Sequence, residues 1–358
     1  MGAGTQRLVS SPRDNFKLMP IIVETADLRA DRAQLVALLT KVLNPSADDR
    51  RFDWLYLKNP DGPARVWLAY ENGTRKLLGA SAIFPRRLKV HGQEVTGCVF
   101  GDFCVSQNYR TLGPALLLQR ASIKGMHEAG FEYGYDLPST SMLGVYKRLN
   151  IAPNASLVRM AKPLRANRKV AEKVKSRAVA RAATVAANAL LTARDVLRRK
   201  KSSATIDIHK GRFGAEFTAL ANRAAAAGSI HVHRRAEYLN WRFLDHPQSR
   251  FEILAARKGK ELKGYTIFQA DGPDGRIVDL FADDPAEFRR GLISGAVEIL
   301  RARGCEIVSL PISAGHPWRK DLTALGFRPR EAQPMVTMHN PPGAKEKPWL
   351  FLEGDRES

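Results

Sequence analysis

Cysteine is scarce in this chain. Three residues, Cys98, Cys104 and Cys305, are spread over 358 positions. That excludes a disulfide scaffold and a cysteine-rich zinc module, and it fits a reducing compartment. Long apolar runs are missing as well. The stretch Met1 to Asp14 has no apolar core of the signal-peptide kind. The apolar-leaning run Val179 to Ala193 is too short to span a bilayer and contains Arg181. From these absences we expect a cytoplasmic protein. Acids are few beside bases, 36 against 57, which leaves a net charge of +21. Apolar residues still make up 44%, an ordinary share for a globular protein, so a wholly disordered chain is excluded. The length is generous for one domain and comfortable for two.

The charge is not spread evenly. Between Lys162 and Lys201 stand 13 basic residues and only two acids, Glu172 and Asp195. About half the excess therefore sits on what reads as a connector. Arg165 to Lys201 contains no Gly and no Pro and is rich in Ala, which favours one long helix. Val170, Val174, Ala178, Ala182 and Val185 recur every three to four residues, an amphipathic stripe. Three uses suit such a helix: a solvated bridge, a surface helix drawn to anionic lipid, or contact with nucleic acid. Base-reading modules and stacking motifs are missing, so no DNA partner is expected.

The rest of the chain reads as a duplication. Trp54-Leu-Tyr-Leu-Lys-Asn-Pro60 matches Trp241-Arg-Phe-Leu-Asp-His-Pro247 in its aromatic, Leu and Pro positions. Each copy is followed by two β-rich runs around a Gly-containing turn, a hairpin signal. Each then gives a strand, a helix (Pro114 to Ala129, Pro285 to Arg303), a further strand, a short helix and a closing strand. Hairpins combined with strand–helix–strand crossovers predict mixed sheets flanked by helices. The expected layout is an α/β unit over 1–163, a basic helical connector over 164–202, and a second α/β unit over 203–358.

Chemistry concentrates where the strand Asp102 to Val105 runs through a loop into a helix opened by Pro114. Arg110-Thr-Leu-Gly113-Pro-Ala115 places small residues at the turn. Their N–H groups, with the positive end of the helix, make a cradle for a pyrophosphate. This segment resembles the acyl-CoA signature of the GNAT superfamily of N-acetyltransferases, Gln/Arg-x-x-Gly-x-Gly/Ala. Val145-Tyr-Lys-Arg-Leu-Asn-Ile151 resembles that family's closing Tyr-x-x-x-Gly-Phe helix, and the whole layout is similar to tandem-GNAT proteins of bacteria.

The resemblance implies an N-acetyltransferase that uses acetyl-CoA as co-substrate, with direct attack of an amine on the thioester. Tyr146 then stands where the family keeps the acid that protonates the leaving thiolate. Asp102 is the leading candidate base and Asp136 its rival. Val105, Arg110, Thr111, Leu112, Gly113, Pro114 and Ala115 would contact pantetheine and pyrophosphate. Ser139 occupies the position of a family Asn. Asn150 replaces a Gly, which is tolerable because Asn also adopts left-handed conformations.

The second unit departs further. Asp283 and Asp284 stand where the cradle should be and would repel a pyrophosphate, and Leu322 replaces the Tyr. We expect it to be degenerate, shaping the acceptor cleft or supporting the first. The acceptor class is a small-molecule amine, with an amino sugar implied by resemblance alone. Two other readings stay open. One is a Fem-type aminoacyl transferase using aminoacyl-tRNA, and the other is a non-catalytic acyl-CoA-binding protein held at the inner membrane by 165–201. The strand-spaced His231 and His233 lack a third ligand, so no metal site is expected. Trp54 and Trp241 read first as packing residues.

Overall fold

The computed structural model describes residues 21–109, 112–174, 176–198, 202–224, 229–339 and 348–357. The first half runs β1 (Ile21–Thr25), α1 (Arg32–Val42), α2 (Asp49–Phe52), β2 (Arg65–Glu71), β3 (Leu77–Val90), β4 (Gln93–Val105), α3 (Leu112–Glu128), β5 (Tyr133–Asp136), α4 (Thr140–Arg148) and β6 (Ala155–Pro163). Helices α5 (Asn167–Lys173) and α6 (Arg177–Arg198) follow. The second half runs β7 (Thr205–Ile208), α7 (Ala215–Arg223), β8 (Ile230–Val232), α8 (Ala236–Leu239), β9 (Glu252–Lys258), β10 (Glu261–Asp271), β11 (Asp274–Ala282), α9 (Glu287–Ala302), β12 (Ile307–Ser313), α10 (Arg319–Ala324), β13 (Arg328–His339) and β14 (Trp349–Leu350).

Where separate sheets were expected, the strands form one. Its order is β1-β2-β3-β4-β5-β13-β6-β12-β11-β10-β9-β7, with β8 and β14 paired off this path. The order is the same from either end once the halves are interchanged. It arises because the closing strands are exchanged. β13 lies antiparallel to β5 through Val336–His339 and to β6 through 328–335. β6 in turn lies antiparallel to the whole of β12, Leu157 facing Ser313 and Pro163 facing Ile307. Each half thus borrows a central strand from the other, and the backbone ladder runs through the junction without an edge.

The repeated tryptophan segment lies at the same junction. In each half a one-turn helix runs into a π-helical turn, Asp53–Leu57 and Asn240–Leu244. The Trp54 and Trp241 rings stack at 4.9 Å between centroids. Each indole Nε1 donates to the other residue's carbonyl oxygen, at 2.7 and 2.8 Å. A buried indole needs a hydrogen-bond acceptor, and here the duplicated residues satisfy each other.

Packing explains the local elements. β3 is buried at nearly every position from Leu78 to Arg86, as in a sheet covered on both faces. Gly125 lets α3 lie against β2, since a Cβ there would come within 1.9 Å of the Trp67 ring. Ser139 caps α4, its Oγ accepting from the Met142 N–H. Asn150 closes α4 at φ +57°, the left-handed conformation its identity permits.

The connector departs from the expected single helix. It breaks at Val174, whose backbone is extended, and α6 folds back on α5. Asn188 of α6 accepts from the Ala166 N–H and donates to Asn167 Oδ1. Alanine content favours helix locally but holds no information about this return contact. Among the described residues no helix is long and apolar enough to cross a membrane.

Candidate functional site

The site begins with a register. β4 and β5 are parallel only from Gly97–Tyr133 to Val99–Tyr135. β4 continues to Val105 while β5 stops at Asp136. Beyond Val99 the strands separate, and among the described residues the β5-side edge of Gly101–Val105 has no strand partner. A β-bulge falls in the same stretch, opposite Ala80–Ala82, and Asp102 sits in it at φ +45°. The splay opens into a cavity of about 820 Å³.

Both halves line that cavity. The first contributes Asp102, Val105, Ala115, Asp136 and Ser139 among others; the second contributes Arg242, Phe243, His246, Gln269 and Glu357 among others. α3 begins beside it. Gly113 is exposed, Pro114 is buried, and Ala115 forms part of the wall. The first turn of a helix has N–H groups free of intrahelical partners. The backbone of Leu112 falls in this turn, while Arg110 and Thr111 lie outside the described residues.

Asp136 is half-buried and presents an edge to this cavity. Burial raises its pKa to about 7, against a hydrogen bond from Tyr146 that lowers it and a nearby Glu357 that raises it further. Tyr146 Oη donates to Asp136 Oδ2 at 2.7 Å and accepts from Gln119 Nε2 at 3.0 Å. Tyr146 is fully enclosed and forms no part of the cavity wall. Burial, followed by Asp136, holds its phenol well above the ordinary value.

Asp102 is differently engaged. Arg51 donates to both of its oxygens, at 2.7 and 2.8 Å, and Tyr56 Oη donates to Oδ2 at 2.7 Å. Burial opposes the Arg51 charge, but Asp102 outweighs it, and the guanidinium pKa lies above its usual value. Three donors occupy most of what one carboxylate can accept. Sequence reasoning did not find Arg51, Tyr56, Gln119, Arg242 or Glu357. Glu357 packs over Gly101, where a Cβ would lie 2.5 Å from its Cγ. Burial raises the Glu357 pKa. Arg242 stacks over Trp54 at 5.6 Å, gives its Nε hydrogen to the Gly354 carbonyl, and leaves Nη1 without a partner among the described residues. His246 is pushed down to about 4 by burial and by Arg242, so it is neutral at pH 7. Burial pushes the Cys104 thiol up to about 12, which removes it as a nucleophile.

The corresponding splay in the second half is filled. β11 and β12 pair only from Asp274–Ile307 to Arg276–Ser309. The segment 349–357 occupies the space beyond, with Phe351, Leu352 and Asp355 buried and Leu352 bridged to Ile312. Asp279 occupies the strand position equivalent to Asp102. Buried Arg234 joins it to Asp355, at 2.8 and 2.9 Å. Leu322 is fully buried. Asp283 and Asp284 are paired with Arg223 and Arg289. Away from the site, the His233 ring bonds Glu94 and Asn222, and the His231 ring bonds the Ser229 carbonyl.

No protein-family model matches the chain, and no curated protein matches it in sequence. Solved structures do match in fold. A probable N-acyltransferase from Enterococcus faecalis V583 superposes with a TM-score of 0.65 at 12% identity, over 89% of this chain and 73% of that one. A GCN5-related N-acetyltransferase from Anabaena variabilis gives 0.61 at 15%, over 89% and 73%. The N-myristoyltransferase of Saccharomyces cerevisiae, solved with bound myristoyl-CoA, gives 0.57 at 13%, over 95% and 84%. The chain therefore has the fold of the GCN5-related N-acetyltransferases.

Proposed function

We propose that this protein is an acyl-CoA-dependent N-acyltransferase that moves an acyl group, acetyl in the simplest case, directly to an amine. One arrangement supports this reading most. Asp136, with a pKa near 7, faces the cavity at the mouth of the β4–β5 splay, beside the first turn of α3.

The residues present fit an acyl-CoA. The unpartnered edge of β4 from Gly101 to Val105 offers backbone groups to the amides of a pantetheine arm. The first turn of α3, with Gly113 and Ala115, offers N–H groups to a pyrophosphate. A bound acyl-CoA would supply the activated acyl carbon. Asp136 would take a proton from the acceptor ammonium, since a group titrating near the working pH is the effective base. The neutral nitrogen then forms the C–N bond, the C–S bond breaks, and the proton that the nitrogen sheds on becoming an amide passes to the leaving thiolate, while Asp136 returns its proton to solvent.

Two residues change role on this reading. Tyr146 is enclosed and its hydroxyl hydrogen is committed to Asp136, so it holds and tunes the base rather than protonating the thiolate. Asp102 is engaged by Arg51 and Tyr56, so it anchors the bulged strand rather than acting as the base. Ser139 caps α4 at the cavity wall. The second half supplies the far wall, where Arg242 Nη1 would donate a hydrogen bond to an oxygen of the amine substrate. A small amine or an amino sugar suits that volume.

Calorimetric titration with CoA, followed by acetyl-CoA turnover against a panel of amines, tests the reading. CoA should bind, and Asp136→Asn should bind it equally well while losing turnover. Failure of the wild-type chain to bind CoA would overturn the proposal.

A further inference from the structure

We propose that the outward face of α6 docks on the headgroup layer of an anionic lipid bilayer. The observation is where the apolar surface lies. Nine large apolar residues are exposed among those described, and five of them, Val179, Val185, Leu190, Val196 and Leu197, belong to this one helix. Their exposure runs from 58% at Val179 to 86% at Leu197. No residue of α6 is buried.

The helix has a defined inner side. Asn188 ties it to the start of α5. Asp195, the only acid of α6, binds Lys162 at 2.6 Å and also Arg301 of α9. With those contacts fixed, a rotation of about 100° per residue sets the rest. The apolar residues and the alanines between them form an arc of roughly 140° directed outward. Arg181 lies beside one border of the arc and Arg194 beside the other, both exposed and without an ion pair among the described residues. The one negative charge is turned inward.

An apolar band bordered on both sides by arginines, on a helix too polar to span, matches an interfacial helix. The arginines reach lipid phosphates while the band enters the acyl boundary. The other occupants match less well. A nucleic acid would use the arginines and leave the apolar band without a partner. A second copy of the same face would set arginine borders against each other.

Sedimentation of the full chain with vesicles tests this directly. Vesicles of phosphatidylcholine and phosphatidylglycerol, 7:3, should retain the protein in 50 mM salt, with retention weakened at 500 mM. Vesicles of phosphatidylcholine alone should retain little. Val185→Glu combined with Leu197→Glu should weaken retention at least tenfold. Reversing Arg181 or Arg194 to Glu should cost about fivefold or more each. These positions are exposed, so unchanged circular dichroism and melting would show that the variants fold. Three outcomes would overturn the proposal: no retention on the anionic vesicles, equal retention on neutral ones, or an apolar double variant that binds like wild type. Release by tRNA from wild type, together with full vesicle binding by the double variant, would assign the face to a polyanion instead.

Discussion

Replacing Tyr146 with Phe separates tuning a base from donating a proton. The hydroxyl sits 2.7 Å from Asp136 Oδ2 and is one of the influences that lower the Asp136 pKa. A hydrogen bond to a charged group contributes about 1.5–3 kcal/mol. At about 1.4 kcal/mol per pKa unit, its loss raises the Asp136 pKa by about one to two units, from about 7 to the range of about 8–9. The ionised fraction at pH 7 then falls from about a half to about a tenth or less, and the rate at pH 7 falls about five- to fiftyfold by the same relation. At pH 9 about half to nine-tenths of the rate returns by the same relation. The assay is the initial rate of CoA release between pH 5.5 and 9.5, with kcat/KM plotted against pH and CoA affinity measured beside it. The expected signature is an acidic limb moved to higher pH with CoA affinity unchanged. A loss of the same size at every pH, with the limb in place, would refute the argument and return Tyr146 to the thiolate.

The remaining predictions use other parts of the same wall. Glu357→Gln removes a like charge that raises the Asp136 pKa, so its acidic limb should move to lower pH, opposite in sign to Tyr146→Phe; a shift in the same direction would contradict the assignment. Arg51→Met leaves the buried Asp102 carboxylate without its cation, which should cost about 3–5 kcal/mol in denaturant unfolding; a double change to Arg51→Met and Asp102→Asn should recover part of that loss. Trp241→Ala empties half of the stacked pair and orphans the Trp54 carbonyl, so about 3–5 kcal/mol should be lost, and a loss below about 1 kcal/mol would show that the two halves do not depend on this contact.

Parts of this arrangement can be read from the sequence because the signal is local. The duplicated tryptophan segment, the strand–loop–helix at Asp102 to Ala115 and the left-handed Asn150 each depend on residues a few positions apart. The strand exchange does not. Alternation along β6 and β13 fixes which face is buried, but it does not name the neighbouring strand. The site has the same blind spot. Arg51 meets Asp102 across 51 positions, and Glu357 reaches Gly101 from the far end of the chain. A buried charge has no signature in sequence until its partner is known. The return of α6 onto α5 is tied by the Asn188 amide to Ala166 and Asn167, a contact that helix propensity cannot see.

The exchange also changes what a half of this protein is. Cutting between α6 and β7 would take β13 out of the first half, leaving β5 without its antiparallel neighbour and exposing an apolar edge. It would remove β6 from between β12 and β13 in the second. The same cut would strip the cavity of Arg242 and Glu357 and leave Trp54 Nε1 without its acceptor. A filled cleft in the second half is therefore consistent with a continuing role. With its own splay filled, that half provides one central strand, one indole and one wall to the half whose splay is open. None of these contributions needs an open splay, whereas the role proposed for Asp136 does.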